Sequence, residues 1–161
     1  MDDIFQLTRI EKQSFRASDY PVSEKRFSFL IKNRKYTMFV AVSDNQVVGY
    51  VCSLMYRRIC LVYSIAVDEA HRGLGIGKKL LETVEIHALD FGAEKVSLEV
   101  RCDNNAVKLY QRSGYIVKDI KRKYYGDGGD AFHMEKILVP NRGDFFGTFH
   151  INAERYHQTI N

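Results

Sequence analysis

The stretch from His71 to Lys79, HRGLGIGKK, contains residue types and spacings that could bind an anionic group. Glycines stand at every second position, 73, 75 and 77, between an apolar run that predicts a strand and a segment that predicts a helix. Each glycine costs a helix about 1 kcal/mol relative to alanine, so three of them are a poor start for an ordinary helix. They suit a loop whose backbone N–H groups face a phosphate at a helix N-terminus, with a plain tight turn as the alternative.

The spacing of this loop excludes two common phosphate-binding patterns. The nucleoside-triphosphatase loop needs one more residue between its glycines than Gly73 and Gly77 allow, and it needs Ser or Thr where Lys79 stands. The dinucleotide-binding loop reads Gly-x-Gly-x-x-Gly, whereas this loop reads Gly-x-Gly-x-Gly. The chemistry of the loop therefore has to be read from its surroundings.

The local sequence places the loop between a strand and a helix of a mixed domain. Apolar residues at helical spacing predict helices over 2–16, from Ser23 onward, from Ile76 to a C-cap at Gly92, and over 104–113. Alternating and apolar runs predict strands at 36–42, 46–56, 59–67, 95–101, 115–122 and 131–138. This order predicts an α+β (mixed α/β) fold with a single central, mostly antiparallel sheet and flanking helices.

Length and composition limit the class of protein. The 161 residues suffice for one domain with a core, and no apolar run approaches the roughly 20 residues that span a bilayer. Three cysteines without a close pair favour a cytoplasmic location over a disulfide scaffold or a zinc site. The net charge of +4 is mild and suits an anionic ligand or an ordinary solvated surface. We expect no metal, no membrane and no nucleic acid among the partners.

Three separated motifs resemble the GNAT superfamily of N-acetyltransferases. Arg72-x-x-Gly75-x-Gly77 is similar to its signature loop, within a matching strand, loop and helix, SIAVDEAHRGLGIGKKLLE. LEVRCDNNAVKLYQRSGY is similar to its next unit. YYGDGGDAFHMEK resembles the closing hairpin of the branch with the ribosomal-protein-alanine N-acetyltransferases. The resemblance covers roughly residues 36–138 and implies the acyl-CoA N-acyltransferase (GNAT) fold.

The resemblance implies how acetyl-CoA is bound. Backbone N–H groups of 73–78 would hold the pyrophosphate, the end of the strand 59–67 would line the pantetheine arm, and the Val67 amide would face the thioester carbonyl. Between Arg101 and Ala106 the sequence is one residue shorter than the family pattern. The asparagine that contacts CoA in the family therefore falls on Asn104 when counted forward from Arg101 and on Asp103 when counted back from Tyr110. Asn104 is also a candidate helix N-cap. The implied acetyl-CoA contacts are Ile65, Ala66, Val67, Arg72, Gly73, Leu74, Gly75, Ile76, Gly77, Lys78 and Asn104.

The resemblance also implies an acid and a base. Attack on a thioester requires a neutral amine, and at pH 7 deprotonation costs roughly 1 kcal/mol for an α-amine but roughly 4–5 kcal/mol for a lysine. Glu99 of LEVR matches the base, although a glutamate paired with Arg101 on a solvated face is the alternative. Tyr110 of KLYQRSGY matches the general acid for the departing thiolate, with a core aromatic as the alternative. Tyr124 and Tyr125 resemble residues near the acceptor groove, and turn packing is their alternative.

The resemblance predicts an acetyl-CoA-dependent N-acetyltransferase that acts by direct attack in a ternary complex, on a protein or peptide N-terminal amine. A small-molecule amine acetyltransferase and a non-catalytic acyl-CoA-binding regulator are the alternatives. We expect the enzyme domain to span 1–139, followed by an extension over 140–161. Alternating residues at 145–153 suggest that this extension packs on the domain or on a second subunit, so a homodimer is an open expectation.

Overall fold

The computed structural model describes residues 3–139 of the chain. Four α-helices and six β-strands follow one another in the predicted order. The helices are α1 Asp3–Ser14, α2 Glu24–Lys32, α3 Ile76–Asp90 and α4 Ala106–Arg112. The strands are β1 Tyr36–Ser43, β2 Gln46–Tyr56, β3 Ile59–Val67, β4 Lys95–Arg101, β5 Ile116–Lys121 and β6 Ala131–Ile137.

All six strands form one sheet in the order β1-β2-β3-β4-β6-β5. Neighbouring strands run antiparallel except β3 and β4, which run parallel. This confirms the predicted central, mostly antiparallel sheet with flanking helices. The last strand, β6, lies between β4 and β5, so it brings residues near 133 beside residues near 99. Among the described strands, β1 and β5 form the two edges.

The helices cover both faces of the sheet and produce two hydrophobic cores. One core includes α1 and α2 side chains such as Leu7, Ile10 and Phe27, packed on β1, β2 and the Ala66 position of β3. The other core gathers the apolar stripe of α3 and the buried face of α4 on the opposite side of the sheet. Each fully buried Leu or Phe stabilises the fold by about 1.5–3 kcal/mol relative to an exposed one. Amphipathic spacing therefore determines which face each helix covers.

The predicted helix ends are confirmed by specific backbone features. Ser23 accepts a hydrogen bond from the Arg26 N–H at 3.2 Å, which caps the start of α2. Gly92 follows the end of α3 with a φ of +79°, a left-handed conformation that favours glycine. None of the helices within 3–139 is both long and apolar enough to span a membrane. The proposed extension over 140–161, including the packing segment 145–153, lies outside the described residues.

Candidate active site

The strands β3 and β4 part shortly after they begin. They pair over three positions only, Ile59–Leu61 with Lys95–Ser97, whereas β3 continues to Val67 and β4 to Arg101. Each strand stays paired on its outer side, β3 with β2 and β4 with β6. The facing edges of 62–67 and 98–101 therefore carry strand N–H and C=O groups that a ligand with amides could pair. We refer to this opening as the β3–β4 gap.

A β-bulge explains where β3 turns away from β4. Pairing with β2 shifts between Cys52, opposite Ser64, and Ser53, opposite Val62, so that Tyr63 is an extra residue on β3. A bulge bends its strand and increases the local twist. Tyr63 lies just beyond Leu61, the last β3 residue that pairs with β4. The bend and the end of pairing therefore coincide.

The residues predicted to line the pantetheine arm lie on the part of β3 that borders the β3–β4 gap. Ile65 and Val67 pack toward the core beneath α3 and α4, whereas Ala66 is buried on the α1 and α2 side. Their backbone edge toward β4 lies beyond the last paired position. The strand geometry fits an extended arm in the gap, and the individual contacts remain a prediction.

The glycine loop forms an open, Cβ-free surface at the start of α3. Gly73 and Gly75 have φ values of +78° and +81°, and a Cβ added to either would meet nothing within 4 Å. The backbone N–H of Lys79 donates to the Gly75 carbonyl at 3.0 Å, so the N–H groups of residues 76–78 precede this turn. Free N–H groups, a helix dipole and open space together suit a pyrophosphate. The residues fit acetyl-CoA at this loop.

Two loop residues that were predicted to contact acetyl-CoA also support the scaffold. A Cβ at Gly77 would lie 3.2 Å from Leu109 Cδ2, so this glycine lets α3 begin close against α4. The Arg72 side chain donates to the Val67 carbonyl and to the Ser14 hydroxyl, each at 3.1 Å. It thereby connects the loop to the ends of β3 and α1. The sequence pattern did not indicate either of these packing roles.

The other residues predicted to contact acetyl-CoA differ in whether their side chains are exposed or already held by a hydrogen bond. Leu74 is 68% exposed, and Lys78 forms an exposed ion pair with Glu82 at 3.7 Å. Such a pair contributes about 0.2–1 kcal/mol at most, so Lys78 can exchange it for a phosphate. The Asn104 side-chain oxygen instead accepts the Ala106 N–H at 2.8 Å. Asn104 thus precedes the N-cap of α4, which is Asn105, and its side chain forms a local turn contact with the first amide of the helix instead of the predicted cap.

Glu99 lies on β4 two residues beyond the last pair with β3, and its side chain is only 18% exposed. Lys121 Nζ donates to Glu99 Oε1 at 2.5 Å, and His133 Nδ1 lies 3.1 Å from the same oxygen. The hydrogen bond to Glu99 raises the pKa of Lys121, which keeps this side chain cationic. The alternative of a Glu99–Arg101 pair is not the arrangement found.

The contacts of Glu99 continue along the same face of the sheet toward the start of β4. His133 Nε2 lies 3.2 Å from Glu135 Oε1, and Lys95 Nζ donates to that oxygen at 2.6 Å. The register explains this row, because Glu99 pairs with His133 and Ser97 pairs with Glu135 across β4 and β6. The hydrogen bond from Lys95 lowers the pKa of Glu135. No local pattern in the sequence indicates the contact of His133 with Glu99, since only the insertion of β6 beside β4 brings the two together.

Tyr110 lies on α4 within the core beneath the opposite face of the sheet. It is 6% exposed and packs edge to face on Tyr115, with ring centroids 6.0 Å apart. Burial raises the pKa of Tyr110 to about 12, so its phenol stays protonated at neutral pH. Tyr110 is thus the core aromatic that the alternative described, and its role as an acid remains a prediction.

Arg101 fixes two loops beside this site. Its guanidinium donates to Asp19 at 2.7 Å, to Asp127 at 2.9 Å and to Asp103 at 3.1 Å, although it is buried at the end of β4. The hydrogen bonds from Arg101 lower the pKa of Asp127 to about 2. The Tyr125 ring lies over the guanidinium, with Cζ 4.7 Å from its centroid. One arginine therefore connects the segment after α1 to the turn between β5 and β6.

A neighbouring aromatic extends this set toward Glu99. The Tyr124 ring lies 5.4 Å from Lys121 Nζ and packs edge to face on Tyr125. Tyr124 thus lies beside Lys121, the partner of Glu99, and its place at the acceptor groove remains a prediction, whereas Tyr125 has the turn-packing contact described as its alternative. Within residues 3–139 there is no cluster of three or more His, Cys, Asp or Glu side chains that could hold a metal ion.

Comparisons with known proteins agree with this geometry. The model of the Acetyltransferase (GNAT) family matches residues 1–115. The chain is 34% identical over 157 residues to an N-alpha-acetyltransferase of Saccharolobus solfataricus. The aligned region covers 86% of this chain and 89% of the relative.

Two solved structures are also similar. The ribosomal-protein-S18-alanine N-acetyltransferase from Escherichia coli is 26% identical, with a TM-score of 0.72 over 90% of this chain and 94% of that protein. Ard1 from Thermoplasma volcanium is 26% identical, with a TM-score of 0.76 over 85% of this chain and 92% of that protein.

Proposed function

The chain belongs to the GNAT family of acetyltransferases, and we propose that it transfers the acetyl group of acetyl-CoA to the N-terminal α-amine of a protein or peptide. Family membership supports the predicted acetyltransferase over a non-catalytic regulator. The names of the relatives, an N-alpha-acetyltransferase and a ribosomal-protein-S18-alanine N-acetyltransferase, support the protein acceptor. Acetylation of a small-molecule amine is the alternative that an acceptor screen distinguishes.

The β3–β4 gap beside the glycine loop is the observation that carries this proposal. The pyrophosphate would bind the N–H groups at the start of α3, and the pantetheine amides would pair with the free edge of β3. Acetyl-CoA supplies an activated thioester at the end of this arm. The Val67 N–H is the proposed donor to the thioester oxygen, where negative charge develops during attack.

Glu99 is the proposed base. The attacking amine must lose a proton, which costs roughly 1 kcal/mol at pH 7 for an α-amine and roughly 4–5 kcal/mol for a lysine. A carboxylate fixed by Lys121 and His133 can take that proton without being repositioned. The smaller cost for an α-amine favours an N-terminus over a lysine side chain as the acceptor.

Tyr110 is the proposed donor to the departing sulfur. Its phenol is neutral, and its position in the core excludes water from the leaving group. With a pKa of about 12 against about 8.5 for an ordinary thiol, complete proton transfer from Tyr110 is uphill by about 5 kcal/mol. Tyr110 therefore acts best as a hydrogen-bond donor to the developing thiolate, which takes up the second proton of the amine nitrogen.

An acceptor screen tests the proposed function. Purified protein and acetyl-CoA are combined with peptides that carry a free N-terminus, with lysine peptides whose N-terminus is blocked, and with polyamines, and thiol release is measured. We expect turnover with the free N-terminal peptides. Turnover confined to polyamines would instead identify a small-molecule acetyltransferase, and turnover confined to blocked lysine peptides would identify a lysine acetyltransferase.

A further inference from the structure

Each turnover must release one proton from the site. An ammonium acceptor and acetyl-CoA give an acetylated amide, a CoA thiol and one free proton, so the base has to be emptied before the next cycle. Glu99 is only 18% exposed before any acceptor arrives, and an acceptor at the site would cover it further. A path for this proton is therefore needed on a face of Glu99 that the acceptor does not occupy.

His133 provides a continuous hydrogen-bonded connection from Glu99 to Glu135 along one face of the sheet. Its Nδ1 lies 3.1 Å from Glu99 Oε1, and its Nε2 lies 3.2 Å from Glu135 Oε1. The imidazole is 22% exposed, slightly more than either carboxylate beside it. An imidazole can accept a proton on one nitrogen while it donates one from the other.

We propose that His133 relays the proton of the acceptor amine from Glu99 to solvent. The inference rests on the proposed acetyl transfer to an amine and concerns the same site. The Glu99 carboxyl gives its proton to the Nδ1 lone pair, which regenerates the carboxylate and leaves an imidazolium between two carboxylates. The Nε2 proton then leaves to solvent beside Glu135, and proton exchange with water returns the neutral imidazole to its Nε2–H tautomer before the next cycle. One proton enters and one leaves, so no further reactant is required.

The other groups around His133 cannot replace it. Lys121 contacts Glu99 directly, but an ammonium has three donors and no lone pair with which to accept a proton. Lys95 is likewise a donor, to Glu135. Asp119 lies opposite His133 in the register between β5 and β6, so three carboxylates and the ammonium groups of Lys95 and Lys121 surround this position.

A purely structural role for His133 makes a different prediction. If the imidazole only holds Glu99 in place, a side chain with similar hydrogen-bonding groups replaces it, and a diffusible base in solution changes nothing. If it carries the proton, a glutamine that can still contact Glu99 fails to support turnover, because an amide does not accept and release protons near neutral pH. Added imidazole then restores the rate.

The test compares His133→Gln and His133→Ala with the wild type, using whichever amine the wild type acetylates, at low buffer concentration. Because the acceptor is chosen by wild-type turnover, an unexpected acceptor class contradicts the proposed function without affecting this test. We expect kcat to fall by about tenfold or more in both variants, with the KM for acetyl-CoA unchanged. His87→Gln, on the opposite side of the sheet, is the matched control and should keep the wild-type kcat.

Chemical rescue separates the relay from a structural role. Rising imidazole at constant pH and ionic strength should increase kcat of His133→Ala in proportion to the neutral imidazole, with little effect on the wild type. A wild-type kcat in His133→Gln would overturn the relay. So would a loss in His133→Ala that imidazole does not restore, provided circular dichroism shows that the variant is folded. If His133→Ala does not fold, the same imidazole titration of His133→Gln distinguishes the relay from a structural role.

Discussion

Glu99 and Tyr110 lie on opposite faces of the sheet, with β4 between them. The Glu99 carboxylate contacts Lys121 and His133 on one face, whereas Tyr110 packs in the core beneath the other face. A thioester in the β3–β4 gap would thus meet the proposed base from one side and the proposed donor to sulfur from the other. The two groups share no contact among the described interactions, so their substitutions should act separately.

Tyr110→Phe should lower kcat by roughly 10²-fold and leave the affinity for acetyl-CoA within a few fold. The substitution removes the donor to the thiolate and keeps the ring that packs in the core. Steady-state rates and calorimetric titration with acetyl-CoA measure the two quantities. Tyr115→Phe removes a hydroxyl from the same core and is the matched control. An equal loss in both variants would assign the effect to core packing.

Glu99→Gln should show a rate loss that depends on pH. At low pH the acceptor is an ammonium and needs a base, whereas above its ordinary pKa of about 7.7–8.0 an α-amine is largely neutral without help. The wild-type to variant ratio of kcat/KM should therefore be largest at acid to neutral pH and should shrink as pH rises. A ratio that stays constant across the profile would assign Glu99 to positioning.

Gly75→Val should weaken acetyl-CoA binding by more than tenfold, because the side chain would project into the open surface at the start of α3. A left-handed φ also makes any side chain costly, by about 1–2 kcal/mol or more. Gly92→Val is a matched control, since Gly92 has a φ of +79° and equally open surroundings at the far end of α3. Both variants should lose stability in thermal melts, and Gly75→Val alone should lose affinity. Equal affinities would contradict the phosphate-binding role.

Arg101→Lys should raise the KM for the acceptor severalfold while leaving acetyl-CoA affinity unchanged. A lysine cannot reproduce the planar fork that holds Asp19 and Asp127 together. Asp127 belongs to the turn that follows β5, the strand whose Lys121 contacts Glu99. Steady-state kinetics with each substrate varied in turn measure the KM for the acceptor and the KM for acetyl-CoA separately. An equal loss of affinity for acetyl-CoA would indicate general destabilisation.

The ion pair between Arg101 and Asp127 should not make the KM for the acceptor depend on pH within the assay range. The pKa of Asp127 is lowered to about 2, so its stabilising contribution is fully present above the unfolded value of about 3.9 and is lost only as pH falls toward 2. The KM for the acceptor should therefore show no transition from loosening of these loops between pH 5 and pH 9. A step near pH 4 would indicate that a different carboxylate holds them.

Local sequence determined much of the fold and part of the site. The glycine spacing, the helix stripes and the apolar strand patterns predict elements whose bounds the structure confirms within a few residues. These features depend on neighbouring residues in the chain, which periodicity and turn chemistry describe well. The glycine loop and its position before α3 could therefore be predicted before any tertiary contact was known.

The missed features all depend on contacts between distant parts of the chain. His133 reaches Glu99 because β6 inserts between β4 and β5, and no local pattern determines that strand order. Gly77 packs against Leu109 of a later helix, and Arg101 selects aspartates on two separate loops rather than Glu99. Such contacts follow from the assembled sheet, so they could not be read from spacing.

N-terminal acetylation is tested most directly with one peptide in two forms, with its α-amine free or blocked, and with the same internal lysine in both. Thiol release from acetyl-CoA is followed, and the acetylated position is mapped by mass spectrometry of fragments. We expect turnover of the free form with the acetyl group on its N-terminal residue, and loss of that turnover in Glu99→Gln at neutral pH. Equal turnover of both forms, with the acetyl group on lysine, would contradict this prediction.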